Sequence, residues 1–222
     1  MLSTRLAVFD LDGTLIDSRR DLADSGNLML ATYGAPPLTD DAIASMVGCG
    51  APTLVKRIMT AAGVDAPVDE ALPLFLAAYD KRLTRHTRPY DGIPRVLDEL
   101  QADHIAMALL TNKPLAQSVR ILHEFGLAKY FQWVVGGDGP LPRKPAPDGM
   151  KFLMLQASAD ADTTILIGDS AVDLETSRNA GVRICLARYG FGFADLGPAD
   201  LRGDESLVDT PAEISGVVHA RR

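Results

Sequence analysis

The 222-residue sequence contains no apolar run that approaches the roughly 18 continuous residues needed to cross a membrane. It also lacks internal repeats and low-complexity tracts. Hydrophobic residues make up 47% of the chain and charged residues 23%, which is too apolar for a disordered protein. We therefore expect a soluble globular protein that has no membrane partner.

Basic residues are in the minority, with 22 Lys and Arg against 29 Asp and Glu, for a net charge of -7. Binding to a nucleic-acid backbone requires a basic surface that neutralises phosphates. The composition provides no such surface, so nucleic acid is not an expected partner. Any anion that the protein binds must be held by local groups.

Cysteine is also scarce. Cys49 and Cys185 do not form a Cys-x-x-Cys pair, and two residues are too few for a disulfide framework. The segment from Met1 to Asp10 has only a short apolar run after Arg5, which is not typical of a signal peptide. These features predict a cytoplasmic protein.

Short apolar runs rich in branched residues occur at residues 6–9, 105–110, 133–135, 164–167 and 182–186. Segments of helical length separate the last four runs. Strands that alternate with helices are typical of an α/β fold with right-handed crossovers. The sequence therefore predicts a doubly wound, Rossmann-like parallel sheet.

The interval between the first two runs is too long for one crossover helix, and its apolar residues recur at helical spacing. Three stripes are visible: Leu22, Gly26, Met29, Leu30 and Tyr33; Leu54, Val55, Ile58, Met59 and Ala62; and Leu72, Phe75, Leu76, Tyr79 and Leu83. We predict a small helical domain at residues 18–86, inserted into a core of residues 1–17 and 87–222. Such an insert would lie over the ligand-binding edge of the sheet.

Carboxylates follow two of the predicted strands. Asp10 and Asp12 come after the first strand, and Asp169 and Asp173 come after the fourth. Because parallel strands end at a common edge, these groups predict a site for a hard cation such as Mg²⁺. A cation there would let a carboxylate approach a phosphate, which makes Asp10 a candidate nucleophile. Helix capping by Asp169 or Ser170 is the simpler alternative.

Two more segments follow predicted strands at the same edge. The Thr111 hydroxyl and nearby backbone N–H groups are suited to hold phosphate oxygens, and Lys144 lies in a stretch stiffened by Pro145 and Pro147. The alternatives are a helix cap at Thr111 or Asn112 and a solvated Lys144. Together the four segments supply two pairs of carboxylates, one hydroxyl group and one lysine ammonium group.

The segments read Asp-x-Asp-Gly-Thr, Thr-Asn-Lys, Lys-Pro-x-Pro and Gly-Asp-Ser-x-x-Asp, and they resemble the four motifs of the haloacid dehalogenase superfamily over residues 6–189. Within it the chain looks most like bacterial phosphoglycolate phosphatases, a resemblance that residues 136–138 and 189–190 support. The resemblance implies Mg²⁺-dependent hydrolysis of a small phosphorylated metabolite, with 2-phosphoglycolate as the expected substrate.

The resemblance also implies roles for single residues. Asp10 would attack phosphorus and form an aspartyl-phosphate, while Asp12 would protonate the leaving alkoxide and later deprotonate water. Thr111, Asn112 and Lys144 would hold the phosphoryl oxygens. Both chemical roles of Asp12 suit a carboxyl group close to the nucleophile.

The implied Mg²⁺ ligands are Asp10, the main-chain carbonyl of Asp12, and Asp169. Asp173 has two open roles: it is either a ligand through water or the ion-pair partner of Lys144.

By the same resemblance, residues 18–86 form a mobile cap that reads the leaving group, and residues 48–51 form its loop facing the core. Lys56 or Arg57 would pair with a substrate carboxylate, or would lie on the solvated face of a helix. Cys49 is expected to be a small packing residue rather than a reactive thiol.

Other functions remain open. A phosphatase for another small (sugar) phosphate and a β-phosphoglucomutase-like mutase differ mainly in cap side chains. A dehalogenase would not need the acid that Asp12 supplies. A phospho-acceptor signalling domain also uses acidic residues, Thr and Lys, but carries its Asp on an internal strand and has no large insert. Monomer and homodimer are both compatible with the sequence.

Overall fold

The computed structural model describes residues 3–220, which form a six-stranded sheet with a hydrophobic core on each face. The strands are β1 (Leu6–Phe9), β2 (Ile16–Asp17), β3 (Arg88–Pro89), β4 (Ala106–Leu110), β5 (Trp133–Val135), β6 (Thr164–Gly168), β7 (Arg183–Ala187) and β8 (Ser206–Val208). The helices are α1 (Arg19–Thr32), α2 (Asp40–Ala44), α3 (Ala51–Ala61), α4 (Val68–Asp80), α5 (Ile93–Ala102), α6 (Leu115–Glu124), α7 (Asp148–Gln156), α8 (Ala171–Ala180) and α9 (Ile214–His219). In this described part of the chain, no helix combines the length and apolarity needed to cross a membrane.

The sheet has the strand order β5-β4-β1-β6-β7-β8, and every neighbouring pair is parallel. Alternate residues of the central strand β1 enter the two cores: Ala7 and Phe9 pack on one face, and Leu6 and Val8 on the other. Burial on both faces explains why the strand is a continuous apolar run rather than an alternating one. The predicted α/β doubly wound sheet is confirmed.

The five predicted strands agree with β1, β4, β5, β6 and β7 to within one residue at each end. Strand β8 lies outside the prediction because it has only three residues, and the side chain of Leu207 in its middle is 38% exposed. Strands β2 and β3 have two residues each, which is too short to show a period.

Helices α1 to α4 occupy the interval between β2 and β3. Helix α1 buries Leu22, Met29 and Leu30 along the predicted stripe. Gly26 lies on the same face, where an added Cβ would be 2.9 Å from the side chain of Ile58 on α3. The missing side chain therefore lets the two helices pack closely.

The helical interval differs from the prediction in detail. Helix α3 begins at Ala51, so Pro52 lies in its first turn instead of preceding it. Leu83 lies beyond the end of α4 but is still buried. Strands β2 and β3 pair antiparallel, with Asp17 opposite Arg88, so the chain enters and leaves the interval side by side. The division of the chain at residues 18–86 into core and cap stays a prediction.

Candidate active site

Buried carboxylates meet where β1 and β6 end. Asp10 follows β1, Asp169 follows β6, and Asp173 lies in the first turn of α8. Their carboxylate oxygens lie within 4.8 Å of one another, and all three residues are buried. The crowding matches the expectation that ligand groups gather at the carboxyl edge of a parallel sheet.

Lys144 lies among these carboxylates. Its Nζ is 2.9 Å from Asp10 Oδ1 and 2.6 Å from Asp173 Oδ1, and its side chain is 2% exposed. Burial alone would lower the pKa of Lys144, but Asp10 and Asp173 outweigh burial and raise it. Lys144 is therefore a charged group of the site, and the solvated alternative is wrong.

One ammonium does not balance the buried negative charge. Burial raises the pKa of Asp10 to about 6 even though Lys144 acts in the opposite direction. Burial also raises the pKa of Asp169 well above its usual range, and the neighbouring Asp173 and Asp10 raise it further. A divalent cation would relieve this repulsion.

The carboxylate oxygens at this position are suitable ligands for such a cation. Asp10 Oδ1 is buried and accepts no hydrogen bond from residues 3–220, because Lys144 is close to it but does not approach at a bonding angle. Buried carboxylate oxygens are the ligands that Mg²⁺ prefers. Asp10 and Asp169 are therefore the side chains with which a metal would bind.

Asp173 uses both of its oxygens within the protein. Oδ1 accepts from Lys144, while Oδ2 accepts from the backbone N–H of Asp169 at 3.2 Å and from the Ser170 hydroxyl at 2.6 Å. Ser170 is the N-cap of α8, so the capping role considered for this position is correct. Of the two roles left open for Asp173, the ion pair with Lys144 is present.

The loop after β1 is fitted against Asp169. Gly13 has φ +86°, and a Cβ on it would lie 2.0 Å from Asp169 Oδ2. The Thr14 hydroxyl donates to Asp169 Oδ1 at 3.1 Å, and the Gly192 N–H donates to Oδ2 at 2.8 Å. Gly192 was not among the predicted site residues, since nothing in the local sequence connects it to a strand end 23 residues earlier.

The side chain of Asn112 binds two backbone carbonyl groups. Its amide donates to the carbonyl of Gly48 at 2.8 Å and to the carbonyl of Lys144 at 2.9 Å. Both N–H donors are thereby used, and none is left for a phosphoryl oxygen. The side chain instead joins the loop after β4 to two others, so phosphoryl contact stays a prediction only for its main chain. Thr111 is buried at the same edge, and its hydroxyl accepts from the Lys113 N–H at 3.2 Å.

Asp12 points away from the three-carboxylate cluster. Its oxygens accept from Lys113 Nζ at 2.8 and 2.9 Å, and Oδ1 also accepts from the Ser18 hydroxyl at 2.5 Å. Lys113 Nζ donates in addition to the Tyr79 hydroxyl on α4 at 2.5 Å. No function was predicted for Lys113, although a lysine directly after a strand-ending Thr-Asn pair is a signal that could have been used.

The helical interval closes over this edge. A cavity of about 50 Å³ lies between the helical interval and this edge of the sheet. Its lining residues are Asp10, Asp12, Leu22, Val47, Gly48, Gly50, Ala51, Leu54, Phe75, Leu76, Tyr79, Thr111, Asn112, Lys113, Pro114, Asp169, Ser170, Phe191 and Gly192. The predicted loop at residues 48–51 thus faces the core, as expected.

Lys56 and Arg57 are not among the residues that line the cavity. Both are exposed on α3, and Arg57 donates to the carbonyl of Met46 at 2.8 Å, with its guanidinium 3.6 Å from Cys49 Sγ. Neither cation lines the cavity in this structure, and both lie on the exposed face of α3. Cys49 is half-buried in the loop that Arg57 supports.

Residues 136–138 hold α6 against the site. The Asp138 carboxylate accepts from the Leu115 N–H at 2.7 Å and so caps α6 from outside the helix. A Cβ on Gly136 would lie 2.6 Å from the backbone of Leu115, and one on Gly137 would lie 2.1 Å from the carbonyl oxygen of Asn112. Neither Thr111 nor Asn112 caps this helix, which begins after Pro114.

Comparison with known proteins gives one consistent picture. A family model described as haloacid dehalogenase-like hydrolase matches residues 7–187. The plasmid-encoded phosphoglycolate phosphatase of Cupriavidus necator is 36% identical over 205 residues, covering 91% of this chain and 88% of that protein. The phosphoglycolate phosphatase of Pseudomonas syringae pv. syringae is 38% identical over 224 residues, covering 95% and 82%.

Solved structures agree with the sequence matches. The crystal structure of a predicted phosphoglycolate phosphatase from Haemophilus somnus has a TM-score of 0.91 at 27% identity, covering 98% of this chain and 99% of that one. CbbY from Rhodobacter sphaeroides, solved in complex with phosphate, has a TM-score of 0.80 at 18% identity, covering 95% and 96%. The similarity to CbbY shows a shared fold only.

Proposed function

The chain belongs to the haloacid dehalogenase-like hydrolase family, and on that premise we propose that it is a Mg²⁺-dependent phosphatase that hydrolyses a small phosphomonoester through an aspartyl-phosphate on Asp10. The names of the relatives support 2-phosphoglycolate as the substrate. One observation carries the mechanism: the buried carboxylate of Asp10 has an oxygen free of hydrogen bonds from residues 3–220, directly beside Lys144.

In the first step an oxygen of Asp10 attacks the phosphorus atom. The new bond between this oxygen and phosphorus forms as the bond between phosphorus and the ester oxygen breaks. Asp12, two residues further along the chain, donates a proton to the departing alkoxide. The products of this step are the free alcohol and a phosphorylated Asp10.

In the second step a water molecule attacks the phosphorus atom of the aspartyl-phosphate. Asp12, now ionised, accepts a proton from the water, and the bond between Asp10 and phosphorus breaks. Inorganic phosphate leaves, and both carboxyl groups return to their starting states. A carboxyl group that serves first as acid and then as base satisfies both halves of the reaction.

The remaining groups stabilise charge on the transferring phosphoryl group. Lys144 faces Asp10 and would interact with the phosphoryl oxygens there, together with the Thr111 hydroxyl. Mg²⁺, held by Asp10, Asp169 and the main-chain carbonyl of Asp12, would supply positive charge that reduces repulsion between the carboxylates and the substrate. Asp173 positions Lys144 in this scheme, since both of its oxygens are already bonded.

The helical segment at residues 18–86 acts as the cap in this proposal, excluding water and selecting the leaving group. The cavity at this edge is partly open, so the preference for a small acidic phosphomonoester over the sugar-phosphate and mutase alternatives rests on the names of the relatives. The cytoplasmic location and the choice between monomer and homodimer stay predictions.

Phosphate release tests the proposal. Wild-type protein would be assayed with and without Mg²⁺ against 2-phosphoglycolate, several sugar phosphates and other small phosphomonoesters. Asp10→Asn should abolish turnover, while Asp65→Asn, which changes an exposed acid on the surface, should not. Acid quenching during turnover should trap a protein-bound, hydroxylamine-labile phosphate in the wild type only. Full activity of Asp10→Asn would rule out the mechanism, and preference for another ester would rule out the substrate.

A further inference from the structure

Three side chains that can bind a metal meet where the helical interval begins and ends. Asp21 and Asp24 are three residues apart on α1 and therefore share one face of that helix, and His86 lies just before β3. One oxygen from each carboxylate and one ring nitrogen of His86 all lie within 4.8 Å of one another. None of these residues belongs to the carboxylate cluster of the active site.

Asp21 is held in place through one of its two oxygens. The residue is 0% exposed, and its Oδ2 accepts from the backbone N–H groups of His86 and Thr87 at 2.9 and 2.7 Å. The Thr87 hydroxyl donates to the same oxygen at 2.8 Å. The Asp21 carboxylate thus fixes the chain at His86, whose ring belongs to the same cluster.

The other oxygen of Asp21 has no such partner. Oδ1 is buried and accepts no hydrogen bond from residues 3–220. A buried carboxylate oxygen that has neither a donor nor a cation is costly, because it has lost its hydration without compensation. This oxygen is therefore available as a ligand, and it points to a cation at the cluster.

The basic side chains of the protein do not supply that cation. Within the part of the chain that the structure describes, neither Asp21 nor Asp24 forms an ion pair. Arg19 pairs instead with Asp17 at 2.6 Å, and the guanidinium of Arg88 donates to backbone carbonyl groups. Buried charges in proteins are paired or bind metals, so two carboxylates without a lysine or arginine favour a divalent metal ion.

The imidazole of His86 determines which class of metal ion fits. Mg²⁺ and Ca²⁺ prefer oxygen ligands, whereas one histidine nitrogen with two carboxylate oxygens suits Zn²⁺ and related first-row transition ions. Asp24 and His86 are half-buried, so their side chains can adjust to an ion that arrives from solvent. The active-site carboxylates offer oxygen ligands alone, so the two clusters differ in metal preference.

We propose that Asp21, Asp24 and His86 bind a Zn²⁺-type transition-metal ion. The ion joins the first helix of the helical interval to the segment that returns to the sheet, and it thereby stabilises the junction between them. The site is independent of the proposed phosphatase reaction, because the two ligand sets share no residue.

Calorimetric titration with Zn²⁺ tests the ligand set. The full chain carrying Asp169→Asn is used, which disables the active-site carboxylates as a metal site, and one Zn²⁺ per chain should bind. Adding Asp24→Ala or His86→Gln should weaken binding at least about 100-fold, since loss of a residue that merely orients a ligand already costs up to about 100-fold. The matched control is His123→Gln, which removes an exposed histidine on α6 and should leave the affinity unchanged.

Pulsed electron paramagnetic resonance with Mn²⁺ identifies the nitrogen ligand. Wild-type protein loaded with Mn²⁺ should show coupling to a histidine nitrogen, which should persist in Asp169→Asn and disappear in His86→Gln. Failure of Asp169→Asn to bind Zn²⁺ overturns the proposal, and so does full affinity in folded Asp24→Ala and His86→Gln. Equal loss in His123→Gln also overturns it, because Zn²⁺ would then be bound by surface histidines. Phosphate release enters none of these measurements, so their outcome is separate from that of the proposed function.

Discussion

The ammonium group of Lys144 lies 2.6 Å from the carboxylate of Asp173, and the two side chains are 2% and 0% exposed. The pair connects the loop before α7 to the first turn of α8. Since Asp173 also accepts from the Ser170 hydroxyl, the same carboxylate holds both the helix start and the catalytic cation. In the proposed mechanism, Asp173 therefore contributes to both stability and catalysis.

Asp173→Asn should weaken both properties. Loss of one partner from a buried ion pair costs roughly 3 kcal/mol in the free energy of unfolding. With Lys144 less firmly placed, we expect kcat to fall about 100-fold, as when one group that stabilises the transition state is lost. Urea unfolding and phosphate release measure the two effects, with Asp65→Asn as the surface control. Wild-type kcat in folded Asp173→Asn would show that Lys144 needs no second carboxylate.

Mg²⁺ should stabilise the protein as well as activate it. Binding to the crowded carboxylates at one hundred times the dissociation constant contributes about 2.7 kcal/mol. For a chain of this size, that corresponds to a rise in Tm of roughly 5 to 10 °C. EDTA should reverse the rise and stop phosphate release. Asp169→Asn should abolish the shift in Tm and Asp65→Asn should retain it; an equal shift in both variants would contradict metal binding at Asp169.

Gly137 should not tolerate a methyl group. An added Cβ would lie 2.1 Å from the carbonyl oxygen of Asn112, so the loop after β4 would have to move. We expect Gly137→Ala to lower the free energy of unfolding by about 3 kcal/mol or more and to reduce activity. The matched control is Gly139→Ala, where the nearest atom is 3.5 Å away and the expected change is within about 0.5 kcal/mol. Thermal unfolding of both variants provides the measurement, and equal stability would refute the steric argument.

Glu205 should make stability depend on acid pH. Burial opposes the shift, but the backbone N–H groups of Arg202 and Gly203 and the Arg178 guanidinium lower the pKa of Glu205 from 4.5 to about 2. A pKa that is lower in the folded state contributes stability above the unfolded pKa, and this contribution disappears as pH falls toward 2. The difference in unfolding free energy between wild type and Glu205→Gln should therefore be constant above pH 5 and shrink below it. A difference that does not change with pH would contradict this linkage.

Much of the site was predictable because strand ends are predictable. Asp10 and Asp169 follow apolar runs that are buried on both faces, and parallel strands place their carboxyl ends together. Lys144 follows no strand directly, and only its combination with the other segments indicated a function. Local sequence was therefore sufficient for Asp10 and Asp169 but not for Lys144.

Contacts between the helical segment and the sheet were not predictable. The bond between Lys113 and Tyr79 spans 34 positions, and hydrophobic periodicity indicates which helix face is buried but not which neighbour it meets. For the same reason, periodicity could not show whether Lys56 and Arg57, which lie near the loop at residues 48–51, line the cavity or the exposed face of α3. Asn112 also depends on loops far away in the sequence, since its amide donates to Gly48 and Lys144.

The central position of β1 has a consequence for biosynthesis. Leu6 pairs with Ala106 on one side and Thr164 on the other, so β1 leaves the ribosome about 100 residues ahead of its first neighbour and about 160 residues ahead of its second. At ordinary rates of translation the wait for the second neighbour is roughly 8 to 30 s. During that time a fully apolar segment is exposed to other nascent chains, which makes it a natural binding site for a chaperone. Asp10, the nucleophile of the proposed mechanism, is thus synthesised well before the strand that carries it can pair on both sides.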